Sequence, residues 1–210
     1  MRTLVRVVTS AESAARDASA IAAGIPSRAL MQRAGAAAAS EIALRYHDRL
    51  GAGVLVLAGP GNNGGDAWVV ARALASAGVR VRVVEPIAAK TADAKAERAL
   101  TLDAIPSHAV HSGSMPADVD QGEGLVVDGL LGTGAQGAPR GAIADAVAAA
   151  KRMRARGAQV VALDVVTGVD ATTGVAADDP LVADLTITFG TVKRGHAINR
   201  QTAGTTVVVD

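Results

Sequence analysis

The chain has 210 residues, half of them apolar, and its 21 basic and 20 acidic side chains leave a formal net charge of +1. This balance excludes the basic surface that nucleic acid or an anionic membrane requires, and three aromatic residues are too few for a base-stacking platform. The absence of cysteine excludes thiol chemistry and disulfide scaffolds. We expect a single domain over residues 1–210, a cytoplasmic location, and no nucleic acid or membrane partner.

Two helices come first along the chain. Thr9 and Glu12 form a capping-box pattern, which predicts a helix that continues to about Ala23. Ser27 follows a Gly and Pro break, and we expect it to cap a second helix that runs to about Arg45.

Strands and helices alternate in the rest of the sequence. Apolar runs predict strands over residues 54–58, 79–84, 125–127, 160–165, 185–189 and 205–209. Helices are predicted over residues 67–77, 91–104 and 142–156, whereas residues 108–124 are polar and predict irregular chain. This alternation is typical of an α/β fold with a mostly parallel central sheet and helices on both faces.

The first glycine-rich loop follows the strand over residues 54–58 and ends at Asp66. Three of its glycines fit the G-x-G-x-x-G pattern of dinucleotide-binding loops, and Glu85 stands where that pattern places a ribose-binding acid. A lone match is weak evidence, and a carboxylate at the helix start would repel a pyrophosphate. Asp66 also suits a helix N-cap, and Glu85 also suits a solvated strand end. Asn62 and Asn63 suit a turn as well as a binding site.

Two further loops place carboxylates at the ends of buried strands. Asp128 opens a loop whose residues 132–134 could cradle a phosphate, and its carboxylate could transfer protons, hold a cation or form an Asx turn. Asp164 lies in or at the end of an apolar strand, where an unpaired carboxylate is costly, which favours a functional role. Arg140 could pair with a phosphate or simply be solvated. The four histidines lack ligand spacing, and we expect surface or loop positions for His47, His108, His111 and His196.

Together the loops resemble the NAD(P)H-hydrate epimerase family, also called the YjeF N-terminal domain. The shared motifs are Gly-Pro-Gly-Asn-Asn-Gly-Gly-Asp over residues 59–66, Asp-x-x-x-Gly-Thr-Gly over 128–134 and Asp-x-x-Thr-Gly-Val-Asp over 164–170. Segments within residues 24–35 and 183–193 are similar too, so the resemblance covers nearly the whole chain. The Asn-Asn-Gly-Gly-Asp block is its most specific part.

The resemblance implies a three-layer Rossmann-like fold and an isomerase of nicotinamide nucleotide repair, which interconverts the R and S forms of NADH and NADPH hydrated at ring carbon C6. It implies that the hydrate binds Asn62, Asn63, Gly64, Gly65 and Asp66, the second-loop residues Gly132, Thr133, Gly134, Ala135, Gln136, Gly137 and Ala138, and Asp164. It also implies a potassium ion held by Asn63, Asp128 and Thr167. Family members are often homodimers.

Three positions depart from the family pattern. Ala67 stands where the family usually has Gly, and Val166 with Thr167 replaces Pro-Ser. Threonine keeps the hydroxyl group, while its added methyl could crowd the ion and the lost proline could loosen the turn. A non-catalytic ligand-binding or scaffold domain of the same fold is therefore an alternative. An NAD(P)-dependent oxidoreductase is a weaker one, because no lysine follows the single tyrosine, Tyr46, at helical spacing.

Epimerisation at C6 requires a group that protonates the leaving hydroxyl and later deprotonates the attacking water. Asp128 and Asp164 are the carboxylates at the strand ends, and we expect Asp128 as the acid and base, with Asp164 holding the ring or its hydroxyl. In the alternative, Asp128 only holds the cation, and Asp164 becomes the candidate catalyst.

Overall fold

The computed structural model describes residues 6–209, so both ends of the predicted 1–210 domain lie outside the described residues and its full extent stays a prediction. The strands within this range are β1 (Val7–Val8), β2 (Val54–Ala58), β3 (Val81–Glu85), β4 (Val110–Ser112), β5 (Leu125–Gly129), β6 (Gln159–Leu163), β7 (Leu185–Phe189), β8 (Val192–Lys193) and β9 (Thr205–Val209). The helices are α1 (Ser10–Ala22), α2 (Ser27–Arg45), α3 (Asn62–Ser76), α4 (Ala92–Ala104), α5 (Ala142–Ala155), α6 (Arg194–Ile198) and α7 (Arg200–Ala203). None of these helices combines the length and apolarity that crossing a membrane requires.

The central sheet has seven strands in the order β4-β3-β2-β5-β6-β7-β9, and every neighbouring pair is parallel. From β2 the chain first builds outward through β3 and β4, then returns to place β5 on the other side of β2. This reversal makes the carboxyl ends of β2 and β5 the topological switch point, where open α/β sheets bind their ligands.

Two hydrophobic clusters cover the two faces of the sheet, as the predicted three-layer α/β fold requires. In β2, Val54 and Val56 face the cluster that includes α2 and α3, whereas Leu55 and Leu57 face the cluster that includes α5. All four side chains are fully buried, because a parallel strand between two helical layers has no solvent-facing side. Helix α4 packs on α3 and so extends the first layer.

The N-terminal capping box is confirmed, since the Thr9 hydroxyl accepts from the Glu12 N–H and the Glu12 carboxylate accepts from the Thr9 N–H. The predicted role of Ser27 is wrong: Pro26 occupies the N-cap position, and the Ser27 hydroxyl donates to the Asp93 carboxylate at 2.6 Å. A hydroxyl within the first helical turn is free to bond to a neighbouring helix instead.

Two other boundaries differ from prediction. Helix α3 begins at Asn62 rather than near residue 67, so the Asn-Asn-Gly-Gly-Asp block is helical and not a loop. Burial of this segment against the ends of β2 and β5 outweighs the weak helix propensity of its two glycines. The segment predicted as irregular contains the short edge strand β4, whose few residues pair with β3.

Helix α1 is fixed to the C-terminal part of the chain. β1 pairs with β8 in a small parallel sheet, and the Ser10 N–H donates to the Thr172 hydroxyl at 3.0 Å. These contacts bring α1 beside the turn that follows β6.

Candidate functional site

Three segments meet at the switch point: the start of α3, the end of β5 and the turn after β6. Asp128 lies within β5, opposite Leu57 on β2 and Ala162 on β6, so its side chain is enclosed by the sheet edge and is fully buried. Asp164 is the first residue after β6 and lies beyond the sheet.

Asp128 accepts hydrogen bonds on both carboxylate oxygens. Its Oδ2 accepts from the Thr167 N–H at 2.8 Å, and its Oδ1 accepts from the Thr167 hydroxyl at 2.7 Å and the Leu130 N–H at 3.2 Å. Burial raises the pKa of Asp128, and the bonds from Thr167 and Leu130 oppose that rise. The carboxylate therefore ties the end of β5 to the turn after β6.

Asn63 extends this network from the first turn of α3. Its Nδ2 donates to the Leu131 carbonyl at 2.9 Å, and the Leu131 N–H donates to the Thr167 hydroxyl at 3.1 Å. The bond to the carbonyl fixes which way the Asn63 amide points, because the reversed amide would set two oxygens against each other. Its Oδ1 is buried and has no hydrogen-bond partner within residues 6–209.

This network suits a monovalent cation. Asn63 contributes an orphaned oxygen, Asp128 one negative charge and Thr167 a hydroxyl oxygen, which are all hard donors. An unpaired buried carbonyl oxygen costs about 1–3 kcal/mol, which a bound cation would offset. Within the described residues, no group of three or more His, Asp or Glu side chains is placed to hold a metal ion, so a cation here would depend on amide and hydroxyl oxygens and a single carboxylate. The structure thus brings together the three residues predicted to hold potassium.

Asp164 is held by different partners. Its backbone is left-handed, with φ of 61°, which aspartate tolerates better than most residues. Its Oδ1 accepts from Thr188 Oγ1 at 3.1 Å, from the Phe189 N–H at 3.2 Å, and from the ammonium group of Lys193, a side chain that is only 1% exposed. Unlike that of Asp128, the Asp164 side chain keeps 15% of its surface exposed.

Asp66 lies in the second turn of α3 and is buried, with 8% of its surface exposed. Burial raises the pKa of Asp66 well above its usual range, and the charges of Asp164 and Asp17 raise it further. The N-cap interpretation is wrong, because Gly61 holds that position.

Two other sequence interpretations are corrected. Glu85 is neither a solvated strand end nor available to a ribose, because it is fully buried and both its oxygens accept from Arg98 Nε at 2.9 Å. His196 is not at the surface: it is 5% exposed, and burial lowers its pKa to about 4. It lies near Asp164 and Lys193, and neither the spacing of the histidines nor any motif in the sequence indicates that position.

A cleft of 330 Å³ lies between the loop after β5 and the turn after β6. The residues that line it include Gly132, Ala135, Gly137, Ala138, Val166 and Gly168. Four of the seven predicted second-loop residues therefore line the cleft, whereas Thr133, Gly134 and Gln136 do not. Asp164 is adjacent in sequence to the lining residue Val165.

The glycines of the first loop make close backbone packing possible. A Cβ on Gly59 would lie 1.7 Å from the Leu130 carbonyl oxygen, and one on Gly64 would lie 1.8 Å from the Gly59 oxygen. These glycines let the β2–α3 and β5 loops touch. By contrast, a Cβ on Gly134 would meet nothing within 4 Å, so the second loop leaves space there.

The departures from the family pattern are accommodated. Ala67 is fully buried and packs against Gly129. A Cβ on Gly129 would lie 2.5 Å from the Ala67 Cβ. Thr167 keeps hydrogen bonds to Asp128 and Leu131, while Val166 packs in the core on the α5 face.

Comparison with known proteins decides the family. The family model described as YjeF-related protein N-terminus matches residues 27–195, which is most of the chain. The chain belongs to this family. The match contains all three loops of the site and ends just beyond Lys193.

Relatives in the YjeF-related family carry repair-enzyme names. An NAD(P)H-hydrate epimerase of Achromobacter xylosoxidans is 41% identical over 84% of this chain and 80% of its own length. A bifunctional NAD(P)H-hydrate repair enzyme of Thermanaerovibrio acidaminovorans is 40% identical over 85% of this chain, which spans only 35% of that enzyme. The crystal structure of the yeast protein ynu0 has a TM-score of 0.81 at 23% identity, covering 97% of this chain and 87% of the yeast chain, and it confirms the fold alone.

Proposed function

We propose that this protein is an NAD(P)H-hydrate epimerase that interconverts the R and S hydrates of NADH and NADPH. The observation that carries the proposal is the 41% identity to the Achromobacter epimerase across 80% of that enzyme's length. The polar groups at the switch point supply the chemistry that this reaction requires.

The reacting carbon C6 bears both a hydroxyl and the ring nitrogen. The nitrogen lone pair expels the hydroxyl once that oxygen is protonated, which leaves a planar iminium, and water then adds from the opposite face. The site must therefore move protons at the hydroxyl and place negative charge beside the iminium. No oxidant or reductant is needed.

The geometry favours Asp164 over Asp128 for contact with the substrate. Asp128 is fully buried and both its oxygens accept hydrogen bonds, which suits the alternative role of holding the loops and a cation. Asp164 keeps partial exposure, precedes the cleft residue Val165 in the sequence, and pairs with the buried ammonium of Lys193. We propose Asp164 as the proton-transfer group that meets C6, and Asp128 as the group that orders the site.

Asn63, Asp128 and Thr167 would hold the proposed potassium ion. The ion would supply positive charge that fixes the two loops and satisfies the Asn63 oxygen. Potassium should raise the melting temperature of the protein, and replacing it with a bulky organic cation should remove the gain. Asn63→Ala should abolish this response, whereas Asn62→Ala, which changes an exposed neighbour, should keep it.

The substrate would occupy the cleft with its ring toward Asp164. Asn62 to Asp66 and Gly132 to Ala138 remain the proposed binding segments, with Gly132, Ala135, Gly137 and Ala138 in direct reach of a ligand in the cleft. A homodimer and a cytoplasmic location stay predictions, which light scattering and cell fractionation would test.

The oxidoreductase alternative depends on the G-x-G-x-x-G match and its ribose-binding acid, Glu85. Glu85 is paired with Arg98 in the interior, so the G-x-G-x-x-G match lacks its ribose-binding acid. We expect no steady oxidation or reduction of unmodified NADH or NADPH with carbonyl substrates.

The test is direct. Purified R or S hydrate is incubated with the protein, and the epimer ratio is followed by chromatography after subtraction of the uncatalysed rate. We expect rapid approach to equilibrium from either side. If the protein binds the hydrate without changing the ratio, the scaffold alternative is correct.

A further inference from the structure

Lys193 is a buried lysine whose ammonium group is fully used. Its side chain is 1% exposed, and Nζ donates to Asp164 Oδ1, to Thr188 Oγ1 at 3.0 Å and to the Phe189 carbonyl at 3.0 Å. An ammonium group has three N–H donors, so none is left over to take up a change in position. The contact with the Asp164 carboxylate therefore depends on where the backbone carries Lys193.

The backbone of Lys193 lies in β8, which is outside the seven-strand sheet. Within residues 6–209 the strand partner of β8 is β1, where Val8 lies opposite Lys193. The Val192 N–H donates to the Arg6 carbonyl at 3.1 Å. A sheet of two such short strands is marginally stable by itself, so β8 needs a further anchor.

That anchor is the contact between Ser10 and Thr172. The Ser10 N–H donates to the Thr172 hydroxyl at 3.0 Å, and the two hydroxyl oxygens lie 2.9 Å apart and share a hydrogen bond. Thr172 lies between β6 and β7, in the segment that begins with Asp164. Residues 6–10, which we call the N-terminal strap, therefore join the two segments that carry the Lys193–Asp164 pair.

The same two segments also touch directly. The Gly195 N–H, just beyond Lys193, donates to the Ala171 carbonyl at 2.8 Å. A Cβ on Gly195 would lie 2.5 Å from the Asp170 carbonyl oxygen, so the two backbones approach closely. Because Thr172 follows Ala171 in the chain, the strap closes a ring of contacts around the pair, which limits the movement of one segment against the other.

We propose that the N-terminal strap is a positioning element of the hydrate site, which keeps the Lys193 ammonium against Asp164 and has Thr172 as its anchor. This rests on the proposed function, in which Asp164 transfers protons at C6. The strap acts through Lys193 and not on the substrate. Misplacing a reacting group by about 1 Å can cost about 10²-fold in rate, so a loose strap lowers kcat.

Thr172→Val tests the anchor, because it removes the hydroxyl that bonds to Ser10 and keeps the shape of the side chain. We expect kcat for interconversion of the hydrates to fall by about 10-fold or more. The change in KM should be smaller, since Thr172 does not line the cleft. Thr172→Ser keeps the hydroxyl and should restore most of the rate.

Glu12→Ala is the matched control. It also removes two hydrogen bonds at the start of α1, which the Thr9 N–H and hydroxyl donate, but it leaves the contacts of the strap with β8 and Thr172 in place. Its kcat should stay at the wild-type value. An equal fall in kcat for Glu12→Ala and Thr172→Val would mean that a general loss of stability slows the reaction, and would overturn the proposal.

Hydrogen–deuterium exchange of the peptide that contains residues 190–195 provides a readout without turnover. We expect faster exchange there in Thr172→Val than in the wild type or in Glu12→Ala, because β1 then holds β8 less firmly.

The outcomes separate this inference from the proposed function. If the wild-type protein leaves both hydrates unchanged, the proposed function fails, whatever the exchange at β8. If it epimerises them, but Thr172→Val keeps the wild-type kcat or the wild-type exchange at β8, only the role of the strap is overturned.

Discussion

Asp128 and Asp164 each come at the end of a buried strand, yet their surroundings differ. Asp128 lies one position before the end of β5 and is enclosed, with neutral donors on both oxygens. Asp164 lies one position after the end of β6, in a left-handed turn, paired with a lysine and partly exposed. A shift of two positions relative to the strand end thus separates a fully buried carboxylate from a partly exposed one.

The surroundings of Asp128 and Asp164 also differ in charge. The Asp128 network combines one buried carboxylate with a buried Asn63 amide oxygen that has no partner among residues 6–209, which is why we propose a cation there. The Asp164 carboxylate is already paired with a cation of the protein itself, the buried ammonium of Lys193.

The largest predicted stability effect lies at the pair of Asp164 and Lys193. Lys193→Met leaves the Asp164 carboxylate without its cation in a largely buried site, and breaking such a pair costs about 3–5 kcal/mol. Arg45→Met is the control, because Arg45 pairs with Glu41 on the surface of α2, where such pairs contribute about 0.3–0.5 kcal/mol. Urea unfolding measures both. Equal losses of unfolding free energy in the two variants would mean that the buried Lys193 pair stabilises the protein no more than a surface pair does.

Next in size is the effect of Thr167 in the Asp128 network. Thr167→Val removes the hydroxyl that donates to Asp128 and accepts from Leu131, which should lower the free energy of unfolding by about 1–3 kcal/mol. Thr167→Ser keeps both bonds and removes only a methyl group, so its loss should stay below about 1.5 kcal/mol. If valine is tolerated as well as serine, the hydroxyl does not hold this network together.

The smallest effects separate two adjacent side chains at the start of α3. Asn62→Ala changes an exposed residue and should alter stability by less than about 0.5 kcal/mol. Asn63→Ala removes the bond to the Leu131 carbonyl and should cost about 1 kcal/mol without potassium. Thermal unfolding of both variants gives the difference. A larger loss at Asn62 would contradict the placement of Asn63 in the network.

Much of this arrangement follows from the sequence. Buried apolar runs and alternating helices predict the parallel sheet, and the loops after β2, β5 and β6 meet where such a sheet requires. The helical state of Asn62 to Asp66 was not predictable from propensity, since tertiary packing decides it. His196 and Glu85 gain their surroundings through contacts between distant segments, and no local sequence pattern indicates these.

We propose that Asp164 transfers protons at C6 of the hydrate and that Asp128 holds the loops and the cation in place. This proposal is tested most directly by the rate of interconversion of the R and S hydrates, measured with potassium for Asp128→Asn and Asp164→Asn at a temperature where circular dichroism shows both folded. The account predicts that Asp164→Asn loses about 10²-fold or more, and that Asp128→Asn stays within about 10-fold of wild type. The reverse order of losses would contradict it and make Asp128 the acid and base.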